Sequence, residues 1–305
     1  MLGSGPDGGD VLEMGTDKPR RGWAIGRRGR LALAGACALL VVGGALVGLR
    51  LSSSGPADPA LARLITEVTT VPVSAVGSGG AAAYEGVLPS SGSSAGSASS
   101  SIPLTDGFPS PTGPGGRPLF SDGKPDVLYV ATEFCPYCVA NSWALIVALS
   151  RFGEFSGLAT SRSPTFENIP PIDGWTFLGS SYKSAYLAFA PVETYSNVLV
   201  NRKADPDDPT SYRRLQRLTT AEQAAFRQFD RGGQTPFTDF GGTATALGTA
   251  ILPSTLADLT WNQIAADLRR PASAAGAAIL FSASVLTSEL CQLTGDRPAA
   301  TCSKS

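Results

Sequence analysis

The sequence predicts an α/β domain carried behind one N-terminal membrane helix. Three observations point to it. An uncharged apolar run follows a cluster of arginines. A Gly/Ser-rich stretch separates that run from the rest of the chain. Further on, a β-rich apolar segment passes through Cys-x-x-Cys into an apolar helix-forming one.

Residues 1–30 hold six basic and four acidic side chains, a charge of +2, against −3 for the remainder. The run that follows, 31–49 (LALAGACALLVVGGALVGL), is uncharged over 19 residues. As a helix it is about 28 Å long, enough to span a bilayer core. Arg21, Arg27, Arg28 and Arg30 precede it and only Arg50 follows closely, so the positive-inside rule puts 1–30 in the cytoplasm and everything after Leu51 outside. The favoured reading is an uncleaved, single-pass anchor in the cell membrane. A cleaved signal peptide is the alternative, but the run is long for one and its exit, Val47-Gly48-Leu49-Arg50, lacks a small-x-small pattern. A lipoprotein site at Ala34-Gly35-Ala36-Cys37 would have only six apolar residues before the cysteine. Cys37 is read as an inert packing residue.

Residues 50–119 form an extracytoplasmic linker. Within it, 59–70 places Leu61, Leu64, Ile65 and Val68 at helical spacing, which predicts a short amphipathic helix. From 77 to 118 Gly, Ser, Ala and Pro dominate, and 90–101 is eight Ser, two Gly and two Ala, too little apolar surface to order a chain. That stretch reads as a tether. The folded domain is expected over 120–305, long enough to bury a substantial core.

Composition removes much of the usual chemistry. The chain has no histidine, so His-dependent triads, two-His metal sites and His phosphorelays are excluded. A net charge of −1 offers no cationic field for a phosphate backbone, and no nucleic-acid partner is expected. Five cysteines and the carboxylates carry what remains.

The informative segment is 126–132 (DVLYVAT), a buried central strand, followed by Glu133-Phe134-Cys135-Pro136-Tyr137-Cys138 and a buried helix over 139–150. Cys-x-x-Cys thus lies where a strand becomes a helix. Unpaired N–H groups and the positive end of the helix dipole stabilise a thiolate on the first cysteine, so Cys135 is the nucleophile. Cys138, one turn in, resolves a mixed disulfide by attacking Cys135. Pro136 fixes φ at the helix start, and Phe134 and Tyr137 offer apolar surface to a polypeptide. Half a zinc site and a static bridge are the competing readings. Zinc would need Cys291 and Cys302, whose spacing is unlike a metal knuckle, so neither a metal nor a cofactor is expected.

The strand, Cys135-Pro136-Tyr137-Cys138 and the following helix resemble the active-site unit of the thioredoxin superfamily. That resemblance implies a second element, a cis-proline facing the dithiol, which Thr235-Pro236-Phe237 fits. It also implies that the backbone of Thr235 pairs with substrate. Residues 123–155, with Trp143 and the ALSRF tail, more closely resemble an uncharacterised thioredoxin-like family of membrane-anchored actinobacterial and archaeal proteins (domain of unknown function 929). That likeness extends over roughly 123–303 and implies fold rather than a known reaction. Two features depart from thioredoxins. Tyr129 stands where they keep a buried acid, leaving Glu133 as the candidate for proton transfer. And 101 residues separate Cys135 from Pro236, so an insertion intervenes.

Within that insertion 175–178 and 186–192 read as short strands, and Thr219-x-x-Glu222 is a capping box opening a helix to about Phe229. Thr260-x-x-Gln263 opens another helix over 261–270, and 274–293 reads as a longer terminal helix whose serines argue against a second span. The resulting expectation is a thioredoxin-like core with a largely helical insertion. Cys291 and Cys302 are expected to form a structural disulfide in an oxidising exterior, with a relay pair as the alternative.

Two functional readings follow. One is a membrane-anchored, extracytoplasmic thiol–disulfide oxidoreductase, acting on exported polypeptides with thiols or disulfides and exchanging electrons with a membrane thiol oxidase or reductant. The other is a non-catalytic binding or envelope-assembly module on the same fold, its bridge always oxidised.

Overall fold

The structure is a computed structural model describing residues 58–76, 107–230 and 232–303. The 31–49 run, the segments flanking it, Cys37, and residues 77–106 of the Gly/Ser stretch lie outside the described residues. The chain runs through α1 (Pro59–Thr69), α2 (Val73–Val76), β1 (Ser110–Pro111), β2 (Phe120–Ser121) and β3 (Lys124–Ala131) into α3 (Pro136–Leu149). Next come β4 (Gly153–Ser156), β5 (Ala159–Arg162), β6 (Asp173–Thr176), β7 (Ser181–Ser184), β8 (Ala188–Glu193), β9 (Tyr195–Leu199), β10 (Tyr212–Arg214) and α4 (Thr220–Phe229). The chain then continues through β11 (Phe237–Phe240), β12 (Ala244–Leu247), α5 (Trp261–Asp267), α6 (Ala274–Leu293) and α7 (Ala299–Cys302).

The architecture is mixed α/β around a mixed six-stranded sheet with β3 inside it. Asp122-Gly123, with φ of 51° and 73°, turns β2 into β3, the two-residue Asp-Gly hairpin whose twist suits its strands. β3 pairs in parallel with β8, from Asp126 opposite Ala188 to Ala131 opposite Glu193. It pairs antiparallel with β11, from Phe237 opposite Val130 to Phe240 opposite Val127, and β12 and β1 extend that side.

Both faces of β3 are buried, which explains its unbroken apolar run. Val127, Tyr129 and Ala131 pack with α3 and α6 in the main core, while Leu128 and Val130 pack with Phe237 and with Ala225 and Phe226 of α4. α3 is apolar all round, and every residue in it but Tyr137 is buried. Its contact with β6 is so close that a Cβ on Gly174 would lie 2.6 Å from Val139 O, so only glycine fits there.

The insertion corrects one expectation. Among the described residues between α3 and β11 it carries seven strands, β4–β10, and a single α-helix, α4, so it is β-rich and not largely helical. β4–β7, β5–β6 and β9–β10 form three two-stranded antiparallel ribbons. The residues of β4, β5 and β7 (GEFS, ATSR, SYKS) are mostly small or polar, so long-range pairing holds these strands rather than local apolar patterning. α4 does begin at the capping box: Glu222 N–H donates to Thr219 Oγ1 (3.3 Å) and Thr219 N–H to Glu222 Oε2 (2.6 Å).

α6 spans the residues expected, Ala274–Leu293. By length and composition alone it could cross a membrane, contrary to the weight given to its serines, yet 67% of its apolar window is buried in the fold against the sheet and α3. The fold also extends upstream of Phe120. Leu64 and Val68 of α1, with Val71 and Val76, join the main core. Arg151 Nη2 donates to Val71 O and Pro72 O (both 3.3 Å), and Arg269 Nη2 to Glu67 O (3.4 Å). Phe108 meets Phe281 edge-on, with ring centroids 5.7 Å apart.

Candidate functional site

Cys135 is the N-cap of α3, with extended backbone (φ −78°, ψ 117°), and Pro136 takes the first helical position, where no N–H is needed. Cys138 N–H donates to Cys135 Sγ (3.4 Å). The Cys135 thiol in turn donates to Thr235 O at 3.7 Å, across 100 residues of sequence. The Thr235–Pro236 peptide is cis. The fold therefore brings Cys135, Cys138 and Thr235-Pro236 together.

Both thiols are free and buried, Cys135 6% and Cys138 3% exposed. Burial pushes the Cys135 pKa up, but hydrogen bonds from the Cys138 side chain and from the Cys138 and Tyr137 backbone outweigh it, leaving it below the ordinary thiol value. Burial drives Cys138 well above that value, reinforced by the sulfur of Cys135. One sulfur is thus disposed to be a thiolate and its neighbour to hold its proton, as a nucleophile and a resolving thiol require.

Tyr129, in the strand beneath, donates from Oη to Cys138 O (3.1 Å). Burial, then the charge of Cys138 and Glu193, raises its pKa far beyond reach, so it is a fixed donor rather than a proton acceptor. Glu133 is half-buried and its N–H donates to Tyr195 O (2.9 Å). The acid that sequence reading missed is Glu193, 3% exposed at the end of β8 opposite Ala131. Its Oε1 accepts from Phe177 N–H (3.3 Å). Burial raises its pKa to about 8, and the charge of Glu133 adds to that. Nothing in the sequence around Pro191-Val192-Glu193 separates it from a surface charge.

In front of Cys135 lies a cleft of about 580 Å³. Phe134 lines it but is only 4% exposed, stacked on Tyr212 (4.3 Å between centroids, 13° apart), and Phe166 packs beside it (5.1 Å). Tyr137 and Thr235 also line it. Tyr195 and Arg214, from the β9–β10 ribbon, were not foreseen: they fall in a polar stretch whose strand character depends on pairing. Away from the cleft, Cys291 and Cys302 are disulfide-bonded.

The fold and site define a class: a mixed α/β protein presenting a free Cys-x-x-Cys at a helix start, at the wall of an aromatic cleft. Residues 115–203 match the model of a family described as Domain of unknown function (DUF929). That match includes both cysteines of the dithiol and stops short of Arg214 and Thr235-Pro236. No curated protein and no solved structure matches the chain.

Proposed function

We propose that the protein is a thioredoxin-like thiol–disulfide oxidoreductase, anchored through 31–49 with its dithiol outside the cytoplasm. The observation that carries this reading is the asymmetry of the pair: Cys135 caps α3, receives the Cys138 N–H and faces Thr235 O, while Cys138 holds its proton. The parallel β3–β8 pairing, the antiparallel β11 and β12, and the cis Thr235–Pro236 bond beside the dithiol support the thioredoxin-like assignment.

In the reducing direction the Cys135 thiolate attacks a substrate disulfide, and one substrate sulfur leaves as a thiolate that takes up a proton. Cys138 then gives up its proton and attacks Cys135 Sγ, releasing the second substrate thiol. The substrate gains two electrons and two protons, and the protein dithiol becomes a disulfide. The reverse sequence oxidises substrates. A membrane thiol oxidase or reductant closes the cycle, and the pair's reduction potential against that partner sets the direction. Exported polypeptides with thiols or disulfides are the proposed substrates.

A second reading, a binding or assembly module with a permanent bridge, is favoured by one observation: neither cysteine is more than 6% exposed. Cys138→Ala separates the two. It removes the resolving thiol and keeps the nucleophile, so mixed disulfides through Cys135 should accumulate with envelope polypeptides and be released by reductant. If Cys138→Ala traps nothing while the wild type binds a partner independently of redox state, the module reading replaces the enzyme.

A further inference from the structure

Among the described residues lining the cleft beside the dithiol, the one cation is Arg214. Arg214 pairs with Tyr195 in the β9–β10 register. Its guanidinium carbon lies 4.7 Å from the Tyr195 ring centroid, and Nη2 donates to Tyr195 Oη at 2.6 Å. Tyr195 in turn packs against Phe134, centroids 6.3 Å apart, and Phe134 directly precedes Cys135. Arg214 is exposed, and one hydrogen bond and one ring face orient its guanidinium, so an incoming carboxylate meets a partly ordered fork.

Among the described residues, that fork has no acidic counterpart. Among the described residues the ion pairs are Arg63–Glu67, Arg162–Asp173 and Arg270–Asp267, and Arg214 is in none of them. It spends one of five N–H donors on Tyr195. Among the described lining residues the other charged one is Glu167, on the loop after Phe166, whose own N–H donates to Asp207 Oδ1 (2.8 Å). Among the described residues, one cation and one acid give the cleft a polarity that an extended bound chain must match.

We infer that Arg214 is a specificity-determining residue that selects thiol and disulfide polypeptides carrying an acidic side chain close to the reactive cysteine. The inference rests on the oxidoreductase reading above. The acid pairs with the Arg214 fork while the substrate sulfur faces Cys135, and Glu167 repels the opposite register. A partly exposed, charge-assisted pair of this kind changes a rate by about fivefold.

The test uses the full chain in detergent, fully reduced, and three small disulfides: dithiodipropionate (anionic), bis(2-hydroxyethyl) disulfide (neutral) and cystamine (cationic). In each reaction the protein dithiol becomes a disulfide and the probe becomes two thiols. Each rate is divided by that of the same probe with dithiothreitol, which removes intrinsic reactivity, and then expressed relative to the neutral probe. The anionic probe should exceed the cationic one by about fivefold at low salt, and the ratio should shrink in 0.5 M salt, where the Debye length is about 4 Å. Arg214→Gln should bring the ratio to about one, Arg214→Lys should restore part of it, and Arg214→Glu should invert it. An unchanged ratio in Arg214→Gln overturns the inference while leaving the dithiol chemistry standing. So does a preference for cystamine that Glu167→Gln abolishes. If none of the probes oxidises the wild-type pair, the oxidoreductase reading itself falls, and this inference with it.

Discussion

The two cysteine pairs occupy opposite kinds of helix end. Cys135 caps the start of α3, where backbone N–H groups converge on its sulfur. Cys291 lies in the last turn of α6, where the helix offers carbonyl oxygens and the negative end of its dipole, and it is bonded to Cys302 in α7. A negative sulfur is welcome at the first site and opposed at the second. The comparison teaches that burial does not separate the free pair from the cross-link, since Cys138 and Cys291 are both 3% exposed, whereas helix polarity does.

The strongest way to break the comparison is to remove one pair at a time. Cys135→Ala should abolish disulfide exchange outright. Replacing Cys291 and Cys302 together by alanine should leave exchange running and cost about 3 kcal/mol of unfolding free energy, the chain-entropy value for a loop closed over 11 residues. Denaturant titration reads the second effect. Loss of exchange in that double variant would make the C-terminal pair a redox relay.

A smaller effect comes from the buried acid at the end of β8. Glu193 is raised from 4.5 to about 8 by burial, so below pH 4.5 it is protonated both folded and unfolded and costs nothing. Between pH 4.5 and 8 the unfolded chain releases the proton while the folded one keeps it, so stability falls as pH rises through that window. Glu193→Gln should flatten this fall, with a gain near zero at pH 4.5 and about 2 to 3 kcal/mol at pH 7. Equal melting curves for variant and wild type at pH 7 would count against a neutral, buried Glu193.

The smallest effect sharpens the contrast within the dithiol. Alkylation of the reduced protein at pH 7 should label Cys135 at least about tenfold faster than Cys138. Mass spectrometry of the modified peptides gives the ratio, and equal labelling would contradict the polarity argument.

Local signals with a physical mechanism were readable directly. The Asp126–Thr132 run, the helix-start cysteines, both capping boxes and the 274–293 helix depend on neighbours in sequence, and the structure has each within a few residues. The helix expected over 261–270 ends at Asp267, where the start of α6 packs so closely that a Cβ on Gly276 would lie 2.3 Å from Asp267 O. Three parts of the molecule were opaque for one reason. The ribbons β4–β7 and β5–β6, the burial of Glu193 and the placing of Arg214 over Tyr195 all arise from pairing between distant residues. An acid ending a strand-like run, or an arginine among polar residues, looks the same in sequence whether it is solvated or enclosed.

The two segments flanking the Gly/Ser stretch are both built into the domain. On one side Leu64, Val68 and Val76 are in the main core and Arg151 and Arg269 hold the backbone of 67–72. On the other, Phe108 packs on Phe281 and β1 pairs with β12. A protease that nicks the chain between 77 and 106 would therefore give two bands on a denaturing gel and one species on a sizing column. The 58–76 piece should stay attached by packing and these arginine hydrogen bonds with no covalent link, so clipping that stretch should not shed the dithiol domain.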